Sequence, residues 1–156
     1  MEAVVVLHNI RSVHNVGSIF RTADAAGVKK IFLCGYTPTP IDRFGRPRGD
    51  FAKVSLGAEK SVAWEQAKTL ASVVKKLRQE KYLILAIEQS KHSTSLFDYR
   101  PPKNKPFALI LGSEVRGLSP ASLKHADTVL EIPMHGHKES LNVSVAAGIA
   151  LFTLLH

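Results

Sequence analysis

From His135 to Ser144 the chain packs imidazole, ammonium, carboxylate, hydroxyl and amide groups into one short stretch. That stretch runs directly into an apolar segment, Val143 to Leu155. Ser140 and Asn142 stand where the apolar segment begins, the position at which short polar side chains accept the orphan N–H groups of a first helical turn. Polar groups pressed against an element that must be buried suggest a site as well as a cap. Three further polar clusters could serve the same site: Asn9 to Asn15, Glu88 alone, and the turn Gly112-Ser-Glu114.

Common chemistries can be tested against these residues. Gly112 and Gly117 have the spacing of a P-loop, but Leu118 and Ser119 occupy the positions of its Lys and Ser/Thr. No GxGxxG follows the first strand, which argues against a dinucleotide fold. His135, His137 and Glu139 lack a clear further partner, so loop polarity explains them better than a metal, and none is expected. Ser140 has no His and Asp at the spacing of a hydrolase triad. Cys34, the single cysteine, lies in the apolar run Ile31 to Cys34 and reads as a buried thiol; alone it can form no internal disulfide.

The elements that must position these groups are legible as short apolar runs. Ala3–Leu7, Lys30–Cys34, Tyr82–Ile87, Phe107–Leu111 and Thr128–Ile132 read as strands buried on both faces. A helix is expected from about Val16, capped by Asn15 and stopped at Gly27. Another is expected over Glu65–Glu80, a short one over Ala121–Ala126, and a last one from about Asn142. Gly35–Ala58 shows no periodicity and reads as a long loop in which Arg43, Arg46, Arg48 and Lys53 alternate with Phe44 and Phe51. Either the loop grips RNA, with cations on phosphates and aromatics on bases, or it is a solvated surface with both rings folded under. Gln89–Pro106 is a second polar loop.

Strands alternating with helices give an α/β domain with a mostly parallel sheet flanked by helices. In such sheets ligands bind outside the carboxyl ends of the strands, and all four polar clusters fall at that edge. The 156 residues carry 21 Lys and Arg against 13 Asp and Glu, a formal charge of +8. The pI is near 9.8, a balance that favours a polyanionic partner or serves solubility alone. A single domain without an appended RNA-binding domain is expected. With no leader pattern at Met1–Asn9 and an apolar run too short to span a bilayer, the chain reads as soluble, cytoplasmic and without membrane contact.

Three segments resemble motifs of the SpoU (TrmH) family of the SPOUT RNA methyltransferases. They are Asn9 to Asp24, Leu111-Gly-Ser-Glu-Val-Arg-Gly-Leu118, and Ile132-Pro-Met134 with Glu139-Ser-Leu-Asn-Val-Ser-Val-Ala146. They occur in the family's order, with Leu56-Gly-Ala-Glu-Lys-Ser61 between the first two, and cover essentially the whole chain. The resemblance implies an α/β-knot with a C-terminal trefoil knot, S-adenosyl-L-methionine as cofactor, a homodimer, and methyl transfer to a ribose 2′-hydroxyl of tRNA or rRNA. The alternative is a catalytically silent RNA- or ribosome-binding module on the same fold.

Carried over by motif, Arg21, Asn15, Glu114, Ser140 and Asn142 are the catalytic set. Gly112, Ile132, Met134, Leu141 and Ser140 hold the cofactor, with Ala86, Ile87 and Glu88 assigned by position. Arg11, Arg43, Arg46, Arg48 and Lys53 are the expected RNA contacts. Arg21 without the motif reads as an exposed helix residue paired with Asp24. Because a guanidinium stays protonated, Arg21 suits stabilising an alkoxide or gripping a phosphate better than acting as a base. Glu114 either orients the ribose and Arg21 or caps the short helix behind it. The last helix is apolar on nearly every side, as a dimer interface or a buried core helix would be.

Overall fold

The computed structural model describes residues 1–156. In chain order the elements are β1 (Ala3–His8), α1 (Val13–Ala26), β2 (Lys30–Cys34), α2 (Gly49–Ser55), α3 (Ala58–Ser61), β3 (Ala63–Ala67) and α4 (Leu70–Gln79). There follow β4 (Leu83–Ile87), β5 (Thr94–Ser95), β6 (Phe107–Leu111), α5 (Pro120–Leu123), β7 (Thr128–Glu131) and α6 (Val143–Leu155). The seven strands form one sheet in the order β3-β2-β1-β6-β4-β7-β5. Every neighbouring pair is parallel. All carboxyl ends therefore lie along one edge, as expected for the α/β class.

The central strands are buried on both faces, which is why they read as unbroken apolar runs rather than alternating ones. Along β1, Ala3, Val5 and Leu7 join the core under α1 and α6, while Val4 and Val6 join the core that holds Leu70, Val73, Val74 and Leu77 of α4. The α1/α6 side is the larger, with 26 buried residues against 14, so it carries most of the apolar stabilisation. Cys34 is buried on the smaller, α4 side, and burial pushes its thiol up to about 12, as befits a core residue.

Four expectations need correction. First, α1 starts at Val13, a turn earlier than expected. Its cap is Ser12, whose Oγ accepts the Asn15 N–H at 3.1 Å, so Asn15 is inside the helix and free to reach elsewhere. Gly27 does end the helix, in the left-handed conformation at φ 80°. Second, Gly35–Ala58 is not all loop. It contains α2, whose Phe51 is buried and meets Phe20 edge-on at 5.1 Å between centroids. A seven-residue helix with one anchoring ring is too short for a periodic signal.

Third, Glu65–Glu80 is not one helix. Ala63–Ala67 is the edge strand β3, and α4 begins after Thr69, whose Oγ1 accepts the Ser72 N–H at 3.2 Å. The edge position explains the miss, because β3 has no fully buried residue to give a strand pattern. Fourth, β5 adds two residues of strand inside the Gln89–Pro106 loop; with β3 it brings the five expected strands to seven. No helix is long and apolar enough to cross a membrane.

Candidate active site

A cleft of about 260 Å³ opens at the carboxyl edge between the loops that follow β4, β6 and β7. Its apolar walls come from Ile87, Leu111, Ile132, Met134, Leu141 and Val143. Its polar lining consists of four carboxylates, Glu88, Glu114, Glu131 and Glu139, with Gln89, Ser113, Ser140 and Arg116. Its volume is just under the roughly 300–1,000 Å³ usual for small-molecule sites, and the mix of apolar walls with a few convergent polar groups is typical of them. A carboxylate-rich cleft in a chain of net charge +8 favours a ligand carrying positive charge.

The turn after β6 is held from two sides. Glu88, at the end of β4, accepts the Leu118 N–H through Oε2 at 2.9 Å and the Gln89 N–H through Oε1 at 3.0 Å. Gly117 adopts φ 62° against that carboxylate, and a Cβ there would collide with it. Gly112 is confined too: a Cβ would lie 2.6 Å from Leu118 Cδ2, so the turn's own closure already demands glycine. Across the cleft, Gln89 Nε2 donates to the Glu139 carbonyl at 2.7 Å, tying the loop after β4 to the one after β7.

Glu114 faces the other way, onto α1. Its Oε1 accepts the Ser12 N–H at 3.3 Å and the Asn15 side-chain amide at 3.1 Å, and its Oε2 accepts the Arg11 N–H at 3.4 Å. Burial opposes its ionisation, but hydrogen bonds from its own backbone, Asn15, Ser12 and Arg11 outweigh it and hold the carboxyl below the usual glutamate range. Glu114 thus braces the segment leading into α1 and the Asn15 side chain, and does not cap the short helix behind it. Asn15 Oδ1 in turn accepts the amide of Asn142 at 3.2 Å, while Asn142 Oδ1 caps α6 through the Ser144 N–H at 2.8 Å. An amide nitrogen carries two hydrogens, so Asn15 and Asn142 each keep one for a further acceptor.

Of the expected cofactor residues, Gly112, Ile132, Met134, Leu141, Ser140, Ile87 and Glu88 line the cleft. Ala86 does not: it is wholly buried inside β4, paired to Ile110 and Val129 of the flanking strands. Of the expected catalytic set, Glu114 and Ser140 line the cleft, and Asn15 and Asn142 stand behind Glu114 as one hydrogen-bonded chain. Arg21 is exposed on α1 outside the cleft lining and makes no ion pair; Asp24 instead accepts the Ser61 hydroxyl at 2.8 Å.

Among the expected RNA contacts, Arg48 is held by Asp50 at 3.1 Å and Arg46 lies 3.5 Å from Asp42, whereas Arg11, Arg43 and Lys53 have no acidic partner. Residues missed from the sequence are Gln89, Arg116, Gly117, Glu131 and Glu139. Arg116, Gly117 and Glu139 fall inside the quoted motifs, whereas Gln89 and Glu131 carried no signal.

Residues 2–152 match the model of the SpoU rRNA Methylase family. The chain is 33% identical over 149 residues to the 23S rRNA (guanosine-2'-O-)-methyltransferase RlmB of Escherichia coli K12, covering 96% of this chain and 58% of that protein. It is also 33% identical to a putative TrmH family tRNA/rRNA methyltransferase of Staphylococcus haemolyticus, over 97% of this chain and 57% of that one. The chain thus spans under two thirds of the length of these curated relatives. Among solved structures, an AdoMet-bound rRNA methyltransferase from Sinorhizobium meliloti superposes with a TM-score of 0.87 at 30% identity, over 97% of this chain and 55% of that chain.

Proposed function

The chain belongs to the SpoU rRNA methylase family, and from that premise we propose that it is an S-adenosylmethionine-dependent RNA methyltransferase acting on a ribose 2′-hydroxyl of tRNA or rRNA in the cytoplasm. The observation that carries the reading is the junction of three loops, where Glu114, Asn15 and Asn142 form one hydrogen-bonded chain beside an acidic cleft. The cofactor's chemistry fits that cleft: its sulfonium and ammonium groups are cations, and Glu131 and Glu139 offer carboxylates with no hydrogen bond or ion pair inside the chain.

Ile87, Ile132, Met134 and Leu141 would hold the apolar part of the cofactor, with backbone groups of Gly112, Ile132, Met134 and Leu141 on its polar edge. Glu88 would keep the turn from Gly112 to Leu118 in place. When bound, S-adenosylmethionine supplies an electrophilic methyl group. The protein's task is then to align the 2′-oxygen and favour its loss of a proton. Ser140, whose hydroxyl makes no hydrogen bond within the chain, and the spare N–H groups of Asn15 and Asn142 are suited to orient that ribose. Arg21, free of any acidic partner, would stabilise the developing alkoxide or hold the neighbouring phosphate. Arg11, Arg43, Arg46, Arg48 and Lys53 would contact the RNA backbone.

The same reading includes a homodimer and a knot through the segment from Glu131 to Leu155. Its support for the dimer is a stripe on α6, where Val145 and Phe152 are exposed and Ile149 lies between them at helical spacing. Titrating S-adenosylmethionine by calorimetry, followed by tritiated methyl incorporation into tRNA and rRNA with mapping of the modified ribose, tests the function. Saturable binding and a 2′-O-methyl product are expected. Absence of binding at millimolar ligand would overturn it.

A further inference from the structure

We propose that the loops after β1 and β2 form a track for single-stranded RNA, in which Tyr36 and Phe44 stack on unpaired bases beside the ribose presented to the cleft. The proposal rests on the RNA methyltransferase reading and adds to it the conformation of RNA the protein selects.

Tyr36 and Phe44 are exposed by 56% and 65%, whereas Phe51 in the same region is buried. A single exposed ring needs no explanation. Here, however, each ring stands with guanidinium groups: Arg11 lies 5.9 Å from the Tyr36 centroid, and Arg43 and Arg46 lie 4.8 and 5.0 Å from that of Phe44. Aromatic faces interleaved with cations are what single-stranded nucleic acid requires, with bases on rings or guanidinium planes and phosphates on the charges.

Both rings are presented by held turns. Asp42 Oδ1 accepts the N–H groups of Phe44 at 2.8 Å and Arg46 at 3.0 Å, Ile41 bridges to Pro47, and Gly45 takes φ 78° at the tip. The Tyr36 N–H donates to Asn9 Oδ1 at 3.2 Å, which locks the start of the second loop onto the first. Little ordering entropy is then lost on stacking.

The track is continuous with the cleft. Arg11 donates its backbone N–H to Glu114, which lines the cleft. In the sheet, β2, β1 and β6 are consecutive neighbours, so the strand ends from which the two loops and one wall of the cleft depart sit within about 10 Å along one edge. Paired bases cannot offer their faces to such rings, so a ribose in an unpaired loop is the substrate this edge favours.

The test measures fluorescence anisotropy of a short labelled oligouridylate and of an RNA duplex of equal length, alongside S-adenosylmethionine calorimetry. The wild-type protein should bind the single strand more tightly than the duplex. Tyr36→Ala and Phe44→Ala should each weaken single-strand binding about five-fold or more, the loss of one stacked base. Tyr36→Phe and Phe44→Tyr should retain it, and cofactor affinity should not change in any of the four. Undiminished affinity in the double alanine variant, or tighter binding of the duplex, would overturn the track. Failure of the wild-type protein to bind S-adenosylmethionine would instead strike the methyltransferase reading and leave the oligouridylate comparison standing.

Discussion

The side-chain amide of Asn142 donates to Oδ1 of Asn15 across 3.2 Å, joining the cap of α6 to the first turns of α1 over 127 positions of sequence. Asn15 passes the connection to Glu114, 99 positions away. One chain of hydrogen bonds therefore sets the loop after β6 and the starts of both helices relative to one another, and the cleft inherits that geometry.

Replacing Asn142 by Ala removes the α6 cap, at about 1 kcal/mol, and leaves the buried Asn15 oxygen without its donor, at about 1 kcal/mol or more. For a chain of this length a loss of about 2 kcal/mol lowers Tm by about 4–8 °C. Calorimetric melting checks it, and an unchanged Tm would mean that the bond contributes nothing in solution.

Gly117→Ala places a methyl group against the Glu88 carboxylate at a residue with φ 62°. The left-handed backbone alone costs about 1–2 kcal/mol for a non-glycine residue. Because the turn forms one wall of the cleft, S-adenosylmethionine affinity should fall about ten-fold or more while the far-ultraviolet dichroism stays that of the wild type. Unaltered affinity would separate the turn from the cofactor site.

Glu114 links stability to acid. Its carboxyl is held below the usual range in the folded chain, so the native state binds that proton less readily than the unfolded state. The contribution is complete above the unfolded value of about 4.3 and is lost as pH falls through it to the lower folded value. Urea titrations over that interval should show Glu114→Gln with a shallower acid loss of stability than wild type. Parallel curves for the two proteins would contradict this.

Arg21 lies outside the cleft lining and is bonded to nothing in the chain. Arg21→Ala should leave cofactor affinity and Tm within error of wild type while methyl transfer drops about 100-fold or more, as for loss of a group acting mainly in the transition state. Equal loss of cofactor binding would mean that its role is assigned wrongly.

If α6 seals a homodimer, charges on its exposed stripe should open it. The double substitution Val145→Glu and Phe152→Glu alters two residues that are 50% and 44% exposed, so the folded subunit should tolerate it. Sedimentation velocity should show a dimer for wild type and a monomer for the variant. A monomeric wild-type protein would remove the dimer from the reading.

The interior strands were legible because a parallel strand covered on both faces must be apolar throughout, as Ala3–Leu7 and Phe107–Leu111 are. Their shared direction then brought the polar loops to one edge, and the three motifs supplied the candidate residues there. By contrast, β3 hid inside a helical-looking stretch because an edge strand leaves its side chains partly in solvent, and α2 hid because Phe51 is its only buried apolar side chain.

The sequence by itself determined the α/β class, the edge that carries the site and the residue types available there. Only the tertiary structure decided which of those residues meet. Asn15 could be read as a cap because its own neighbours permit it. Its actual partners, Glu114 and Asn142, come from distant segments that the sheet order brings together. Local pattern reports what a residue's neighbours in sequence allow. A hydrogen bond spanning about a hundred residues depends on how every intervening element packs, and no local spacing records that.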